Sequence, residues 1–453
     1  MTVSPRPNLL FILTDQQRWD TTGIHGNPLD LTPNFDRMAQ EGTHLFNTFT
    51  CQPVCTPARA CLQTGMYATQ TGVFRNGLPL PFHCQTIAHL FREAGYTTAY
   101  IGKWHLGTDE MVGPVPEAYR GGYETWLASN VLEFTSDAYQ VTLYDNEGTP
   151  RNLPGYRVDA LTDAAIRYLD APKDRPFFLF LSFLEPHFQN SRDDYPAPDG
   201  YMERYQGKWV PPDLAALGGS THQHIAGYYG MVRRLDEALG RILEALKSLQ
   251  LAENTIVVFT SDHGNHFKTR NGEYKRSGHE SSIRVPAAIN GPGFFGGGRV
   301  QKLISLIDLP PSLLDACQIP IPTAMQGSSI LPLLRRQPID WPKEVFIQIS
   351  ETQVGRAIRT QRWKYGVVAP EGDGWSEMSS PNYEDSYLYD LQADPYELMN
   401  LIQYYSHQEV VNSLRNRLIQ RMLQAGESVP VITPHPDLIS SPMRYVLPEE
   451  IDV

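Results

Sequence analysis

Apolar runs of strand length alternate with amphipathic stretches along the first two thirds of the chain. Four such runs, each followed by polar residues, occupy positions 8–13, 97–101, 177–183 and 255–260. Apolar residues recur at helical spacing in the segments 86–93, 158–169 and 225–249. Strands that are apolar throughout are typical of parallel sheets covered by helices on both faces. The pattern therefore predicts an α/β fold with a large, mostly parallel sheet sandwiched by helices.

The apolar pattern changes around residues 334–341, and the chain beyond this point has a different character. Short runs that predict antiparallel strands lie at 345–349, 356–360, 365–368 and 387–391. A final helix is predicted to begin at a capping box formed by Ser406 and Glu409 and to end at Gly426. We therefore expect an α/β domain over residues 1–339 and a smaller α+β domain over residues 340–453.

Composition and charge narrow the functional classes. The 453 residues are 41% hydrophobic, with 35 Gly and 36 Pro, which excludes disorder, collagen and coiled coil. The formal net charge of -12 argues against nucleic-acid binding and, taken alone, against an anionic substrate. Five cysteines do not make a disulfide scaffold in a chain of this length. The run Leu9 to Leu13 is too short for a signal sequence and no apolar segment approaches membrane-spanning length, so we expect a cytoplasmic protein without membrane contact.

Polar groups that suit catalysis or metal binding follow four of the predicted strands. Ligands of open parallel sheets bind beyond the carboxyl ends of the strands, so these groups are expected to converge. They are Asp15 and Gln16 after the first strand, Lys103 and His105 after the second, His187 after the third, and Asp262 and His263 after the fourth. Each pair alone is better explained as turn or loop residues. Together, two carboxylates, an amide oxygen and an imidazole suit a divalent cation such as Ca²⁺, Mg²⁺ or Mn²⁺.

The segment from Cys55 to Arg59 carries the most specific motif. It reads Cys-Thr-Pro-Ala-Arg, a Cys-x-Pro-x-Arg pattern that resembles the signature of formylglycine-dependent sulfatases of the alkaline phosphatase superfamily. GKWHLG at 102–107 is similar to that family's second signature, and KRSGHESSIRVP at 275–286 resembles the segment that carries its second substrate lysine. IRTQRWKYGVV and YLYDLQADPYELMNL resemble its C-terminal domain. The resemblance spans almost the whole chain and implies an alkaline phosphatase-like fold, with residues 1–339 as the catalytic domain.

The resemblance implies a role for each candidate residue. Cys55 would be oxidised to formylglycine by a formylglycine-generating or equivalent modifying enzyme, and the hydrated aldehyde would attack sulfur to form a covalent sulfo-enzyme intermediate. The metal ligands would be Asp15, Gln16, modified Cys55, Asp262 and His263, with Ca²⁺ as first candidate and Mn²⁺ or Mg²⁺ as alternatives. Arg59 would anchor the modified side chain, and Lys103 would hold that side chain and the sulfate. His105 would be the base for collapse of the hemiester. Lys275 would contact the sulfate and the leaving oxygen, and His187 would be the general acid. The substrate would be a small-molecule or saccharide sulfate ester.

Two alternative functions remain open at this point. Many sulfatases have Asp-Asp after the first strand, whereas the Asp15-Gln16 pair also occurs in relatives that hydrolyse phosphonate monoesters and phosphodiesters. A non-catalytic anion-binding protein with unmodified Cys55 is the other alternative. The net charge does not exclude an anionic substrate, because a pocket that gathers several basic side chains and a cation can hold one sulfate.

Five further residues are candidates for the mouth of the pocket. They are Trp104, His266, Lys268, Arg270 and His279. Arginine and lysine there would favour a second anionic group such as a uronate, although solvated loop charges are the more common reason for such residues. Neither the identity of the substrate nor the oligomeric state follows from the sequence.

Overall fold

The large sheet contains the four apolar runs as its central strands. The computed structural model describes residues 6–447 and 450–451. Within these ranges the strands of the large sheet are β1 (Asn8–Thr14), β2 (Thr43–Phe49), β3 (Thr97–Lys103), β4 (Thr125–Ser129), β5 (Val141–Tyr144), β6 (Pro150–Leu153), β7 (Phe177–Ser182), β8 (Thr255–Ser261), β9 (Arg284–Val285), β10 (Ala287–Asn290) and β11 (Gly298–Ser305). They are arranged in the order β11-β2-β10-β8-β1-β7-β3-β4-β5-β6, with β9 paired to β2.

The sheet is parallel in its middle and mixed towards both edges. Strands β8, β1, β7, β3 and β4 run parallel to one another, as the uniformly apolar runs predicted. Strand β10 is antiparallel to both β8 and β2, and the hairpin β5–β6 adds two antiparallel strands beyond β4. These strands were not predicted, because segments of four residues are too short to show a period.

The register of the middle strands brings their carboxyl ends to one edge. Thr14 lies opposite Ser261 on one side of β1, and Leu13 lies opposite Ser182 on the other. Gly102 of β3 is also paired with Ser182, and its φ of 107° is one that only glycine adopts easily. A Cβ on Gly102 would lie 1.9 Å from the carbonyl oxygen of Ser182. The residues that follow these four strands therefore emerge side by side, as predicted.

Helices cover both faces of the sheet. In the larger domain they are α1 (Pro33–Glu41), α2 (Cys55–Thr64), α3 (Ala68–Thr71), α4 (Ile87–Glu93), α5 (Leu132–Thr135), α6 (Arg157–Asp170), α7 (Tyr201–Tyr205), α8 (Pro212–Ala216), α9 (Thr221–Ser248), α10 (Glu280–Ile283), α11 (Leu309–Ala316) and α12 (Leu331–Leu334). Helices α1, α6 and α9 share one apolar core with the sheet, and α2, α4 and α11 share the core on the opposite face. The two cores hold the central strands rigidly, so the groups at the strand ends have fixed positions.

A smaller sheet forms the C-terminal domain. Its strands are β12 (Glu344–Ile349), β13 (Gly355–Thr360), β14 (Trp363–Val368), β15 (Asn382–Asp390) and β16 (Val431–Thr433), in sequence order across the sheet. The first four are antiparallel, as predicted, and β16 pairs parallel with β15. Helix α13 (Gln408–Gln424) packs on this sheet through buried Val410, Leu414 and Leu418. The separate smaller domain is confirmed, while the boundary at residue 339 stays a prediction.

The predicted capping box of the last helix was wrong. Helix α13 begins at Gln408, after a 3₁₀ turn formed by Tyr405–His407. Ser406 lies inside that turn, and its hydroxyl bonds with the ring Nδ1 of His407 at 2.9 Å instead of capping the helix. No helix in the described residues combines the length and the apolar character needed to cross a membrane.

Candidate active site

Cys55 is the first residue of α2 and lies at the carboxyl edge of the central strands. Its side chain is buried, with Sγ 2.8 Å from Nζ of Lys275, 3.3 Å from Nε2 of His263 and 3.5 Å from Oδ1 of Asp15. Burial alone would raise the pKa of the thiol, but the ammonium groups of Lys103 and Lys275 outweigh it and lower that pKa well below its usual range. The structure therefore brings Asp15, His263 and Lys275, which are far from Cys55 in the sequence, around one sulfur atom.

Four potential metal ligands lie together beside this sulfur. One ligand atom each from Asp15, Cys55, Asp262 and His263 can be chosen so that all lie within 4.8 Å of one another, and all four residues are buried. Burial and the neighbouring carboxylate of Asp15 raise the pKa of Asp262 to about 6. Two carboxylates this close repel each other in the absence of a compensating cation.

Gln16 provides an independent sign of a cation site. Its backbone N–H donates to Oδ1 of Asp262 at 3.1 Å, and its φ of 70° turns the chain sharply after β1. The amide oxygen and nitrogen of its side chain are buried and have no partner within the described residues. A buried amide oxygen without a donor is costly, and a divalent cation would satisfy it. The predicted ligands Asp15, Gln16, Cys55, Asp262 and His263 therefore fit a divalent metal site.

Arg59 ties this cluster to the sheet. It lies one turn after Cys55 on α2, so both side chains share one face of the helix. Its Nη2 atom is 3.1 Å from Oδ2 of Asp15 and 3.2 Å from Oδ2 of Asp262. Its Nη1 atom donates to the carbonyl oxygen of Lys103 and to the hydroxyl of Ser182, both at 2.8 Å. A buried guanidinium with this many fixed partners holds the two carboxylates in place.

Lys103 shares its ammonium group between two carboxylates. Nζ lies 2.8 Å from Oδ2 of Asp15 and 2.9 Å from Oε1 of Glu133, and all three side chains are buried. Burial would lower the pKa of Lys103, but Asp15, Cys55 and Glu133 raise it. Glu133 was missed in the sequence, because it follows the five-residue strand β4 in the short helix α5 and carries no motif. The only available signal was its position shortly after the run Thr125–Ser129.

His187 and Lys275 face each other across the site. Nζ of Lys275 is 3.2 Å from Nε2 of His187 and 3.1 Å from Nε2 of His263. Burial, followed by the charge of Lys275, lowers the pKa of His187. His105 lies at the cavity wall after β3, with a φ of 60° and a buried ring nitrogen, Nδ1, that has no partner in the described part of the chain. All ten predicted site residues are thus brought together, while their individual roles stay predictions.

A cavity of about 800 Å³ opens above Cys55. His105, His187 and Lys275 line it near the sulfur, and Arg75 and Trp375 line it further out. Trp375 comes from the loop between β14 and β15, so the C-terminal domain contributes to the cavity wall. Sequence reasoning missed both outer residues, because neither lies in a motif nor follows a predicted strand.

The residues predicted at the mouth of the pocket lie elsewhere, so this prediction was wrong. Trp104, His266, Lys268, Arg270 and His279 are not among the residues that line the cavity. Trp104 is fully buried in the apolar core, and His266 is fully buried behind Lys275, whose carbonyl oxygen lies 2.9 Å from its ring Nε2. Lys268 pairs with Asp193, and Arg270 donates to the carbonyl oxygen of Tyr396. Lys268 and Arg270 lie in a part of the loop after β8 that does not reach the cavity, whereas Lys275 further along the same loop does.

Comparison with known families identifies the class of protein. The sequence model of the sulfatase family matches residues 7–319, and the model described as N-sulphoglucosamine sulphohydrolase, C-terminal, matches residues 272–424. The chain belongs to the sulfatase family. It is a sulfuric ester hydrolase with the fold of the alkaline phosphatase superfamily, which confirms the fold class and the family that the Cys55 motif indicated.

Individual relatives cover nearly the whole chain. An ulvan-active sulfatase of Formosa agariphila is 32% identical over 439 residues, which are 93% of this chain and 82% of that protein. The crystal structure of a putative sulfatase yidJ from Bacteroides fragilis superposes with a TM-score of 0.81 at 26% identity, over 95% of this chain and 98% of the other. The phosphonate monoester hydrolase of Agrobacterium radiobacter superposes with a TM-score of 0.68 at 25% identity, over 93% and 96% of the two chains.

Proposed function

We propose that the protein hydrolyses a sulfate monoester through a formylglycine formed from Cys55, by way of a covalent sulfo-enzyme intermediate and with a bound divalent cation. The observation that carries this proposal is the position of Cys55 Sγ, buried at the closed end of the cavity and 2.8 Å from Nζ of Lys275. A modified Cys55 would present its hydroxyl groups at this position, where a sulfate entering from the cavity arrives.

The neighbouring side chains suit the charge changes of sulfuryl transfer. Lys275 is free to meet the sulfate oxygens, because its ammonium group contacts only Cys55 and two imidazoles among the described side chains. His187 lies 3.2 Å from Lys275 on the cavity side and is placed to protonate the leaving oxygen. His105, on the same wall, is placed to take a proton when sulfate is released. Arg59 and Lys103 fix Asp15 and so preserve the geometry of the whole cluster.

Ca²⁺ is the cation that we propose for the ligand cluster. Two carboxylates, one amide oxygen and the oxygen of a modified Cys55 make an oxygen-rich set, with His263 as the nitrogen donor. When bound, such a cation polarises the sulfate oxygens and lowers the pKa of a coordinated hydroxyl. Mn²⁺ and Mg²⁺ are the alternatives that a metal panel would distinguish.

The cavity supports a saccharide sulfate as the substrate class. Its volume of about 800 Å³ leaves room for a leaving group the size of one or two sugar rings beyond the sulfate. The ulvan-active relative and the N-sulphoglucosamine sulphohydrolase family model support the same class. We propose a sulfated saccharide as the natural substrate, with aryl sulfates as practical probes.

Phosphonate monoester or phosphodiester hydrolysis is the second candidate. Gln16 after the first strand and the structural similarity to a phosphonate monoester hydrolase favour it. Matched aryl sulfate and aryl phosphodiester substrates distinguish the two functions on the same protein sample. Efficient diester hydrolysis with negligible sulfate release would overturn the sulfatase proposal.

The state of Cys55 is the direct test. Peptide mass spectrometry on protein from the native host should show a loss of about 18 Da at Cys55, the change from a thiol to an aldehyde. Cys55→Ala should abolish turnover and leave the thermal unfolding midpoint nearly unchanged, whereas Cys84→Ala, another buried cysteine outside the site, should keep full activity. An unmodified thiol in active protein would contradict the proposal, and an unmodified thiol in inactive native protein would support a non-catalytic anion-binding role.

A further inference from the structure

Two residues of the cavity take no part in the chemistry proposed above. Arg75 lies in the loop after α3, and Trp375 lies in the loop between β14 and β15. The guanidinium carbon of Arg75 is 6.0 Å from the centroid of the Trp375 ring. The two domains therefore meet at the cavity wall with a cation beside an aromatic face.

Arg75 and Lys275 differ from Arg276, the other lysine or arginine that lines the cavity, in having no carboxylate partner in the described part of the chain. Arg276 bonds the carboxylates of Glu273 and Glu351. Among the described residues, no carboxylate oxygen lies within 4.0 Å of a nitrogen of Arg75 or Lys275. Arg75 is only half-buried, and its Nη1 donates to the backbone carbonyl of Asn76 at 2.9 Å. The cavity thus presents two cations without carboxylate partners.

A sulfate monoester brings only one negative charge to these two cations. Lys275, which contacts Cys55, is the cation positioned for the scissile sulfate. Arg75 is left without an anion unless the leaving group carries a second one. Asp109 and Glu273 also line the cavity, but both are exposed, and Glu273 is paired with Arg276 at 3.0 Å.

Trp375 offers a flat apolar surface beside Arg75. Half of its side chain is exposed, at 50%, which is unusual for tryptophan in a folded domain. Hydrogen bonds order the loop that carries it. The backbone N–H of Trp375 donates to Oδ1 of Asp373 at 3.0 Å, and the backbone N–H of Glu351 donates to the carbonyl oxygen of Gly374 at 2.9 Å. A large exposed aromatic ring on an ordered loop at a cavity is suited to contact the face of a ligand ring.

The loop of Arg75 is attached to the proposed nucleophile. Oδ1 of Asn76 accepts a hydrogen bond from the N–H of Thr56 at 3.1 Å, one residue after Cys55. The loop that carries Arg75 is therefore anchored next to Cys55 at the start of α2. Its charge is available to a group on the leaving side of the ester.

We propose that Arg75 and Trp375 form a second-anion subsite, which selects sulfate esters whose leaving group is a ring bearing a carboxylate or a second sulfate. The ring lies against Trp375 and its anionic group pairs with Arg75, while the scissile sulfate lies at Cys55 and Lys275. This inference rests on the proposed function and specifies its substrate class.

The test compares charged and uncharged leaving groups on protein of verified Cys55 state. The probes are phenyl sulfate and the para and meta isomers of carboxyphenyl sulfate and sulfophenyl sulfate. The measured quantity is kcat/KM for each charged probe divided by kcat/KM for phenyl sulfate, so that differences in intrinsic reactivity cancel between variants. We expect Arg75→Met to lower this ratio about tenfold, the effect of losing one charge-assisted hydrogen bond. Arg92→Met, on the exposed side of α4, should leave the ratio unchanged. If this ratio falls more for the carboxyphenyl sulfates, the natural second anion is uronate-like. If it falls more for the sulfophenyl sulfates, the natural second anion is sulfate-like.

A binding measurement separates this proposal from the proposed function. In a Cys55→Ala background, which cannot turn over, calorimetry measures the affinity of carboxyphenyl and sulfophenyl sulfates relative to phenyl sulfate. Arg75→Met should again weaken the charged probes about tenfold relative to the uncharged one. The subsite proposal would be overturned if Arg75→Met weakened the affinity of all probes equally, or if it left the affinity of both charged series unchanged. If phenyl sulfate is bound but not hydrolysed by protein with modified Cys55, the sulfatase proposal fails while the binding ratio still decides the subsite.

Discussion

Oε1 of Glu351 accepts a hydrogen bond from the backbone N–H of Asn76 at 2.7 Å, and its Oε2 bonds the guanidinium of Arg276. Glu351 follows β12 in the C-terminal domain and is buried, with a φ of 66° that is unfavourable for a residue other than glycine. Asn76 contacts the N–H of Thr56, beside Cys55, and Arg276 directly follows Lys275. One carboxylate of the C-terminal domain therefore positions both loops that flank the proposed nucleophile.

Glu351→Gln should reduce catalysis more than it reduces folding. The amide keeps one acceptor oxygen but loses the charge that pairs with Arg276, so Lys275 and the Asn76 loop become less firmly held. We expect kcat/KM for an aryl sulfate to fall about tenfold, equivalent to about 1.4 kcal/mol of activation free energy. Glu384→Gln, an exposed change on β15 of the same domain, is the matched control. A fall in the unfolding midpoint with unchanged kcat/KM would show a purely structural role, and partial recovery in Glu351→Asp would support positioning.

Glu133→Gln tests the second carboxylate on Lys103. The ammonium group would keep Asp15 as its ionic partner, at 2.8 Å, and would lose the charge of Glu133 at 2.9 Å. We expect the unfolding free energy to fall by about 1–3 kcal/mol, because a buried charge-assisted hydrogen bond is weakened. kcat should fall about tenfold or more, since Lys103 contacts the carboxylate nearest Cys55. Glu147→Gln, in the exposed loop between β5 and β6, should change neither quantity. Unchanged kcat in Glu133→Gln would show that Lys103 does not need this partner.

His266 should make the fold less stable in acid. Burial lowers the pKa of His266 to about 4, from an ordinary value near 6.5 in the unfolded chain. The folded state therefore excludes a proton that the unfolded state binds, so the contribution of His266 is fully present above pH 6.5 and is lost as the pH falls through about 4. The loss amounts to about 3 kcal/mol. His266→Gln keeps a donor for the carbonyl of Lys275 and should reduce the change in unfolding free energy between pH 7 and pH 4, measured by urea denaturation. His83→Gln, at an exposed histidine, should show the wild-type pH dependence, and an identical curve for His266→Gln would contradict the assignment.

Gln16 should contribute to cation affinity. Removal of divalent cations by a chelator should lower the unfolding midpoint and abolish turnover, and added Ca²⁺ should restore both. At one hundred times the dissociation constant, bound cation stabilises the folded state by about 2.7 kcal/mol. Gln16→Ala should raise the Ca²⁺ concentration needed for this stabilisation about tenfold or more, because the buried amide oxygen is lost. Gln85→Ala, an exposed change, serves as control. The same Ca²⁺ dependence in both variants would exclude Gln16 as a ligand.

The sequence predicted those site residues that directly follow a recognisable strand or lie within a short motif. The residues after β1, β3, β7 and β8 could be grouped because parallel strands align their carboxyl ends, and the Cys55 motif lies within five consecutive residues. Glu133 could not be found in this way, because it reaches Lys103 from a helix of four residues. Trp375 and Glu351 could not be predicted from the sequence for a different reason. Their positions depend on how the C-terminal sheet packs against the catalytic domain, a long-range relationship that leaves no periodicity in the sequence.

The central place of β1 sets a sequence of events during biosynthesis. β1 is made first, yet its two neighbours begin only at Phe177 and Thr255, so the middle of the sheet stays incomplete until more than half of the chain exists. Throughout that interval Asp262, His263 and Lys275 have not been synthesised, and Cys55 is not yet enclosed. In the finished fold its side chain is 1% exposed, beyond the reach of another protein. If Cys55 is converted to formylglycine as proposed, a modifying enzyme would have to act before the fold closes around this residue, and the rate of chain synthesis would then influence how many molecules become active.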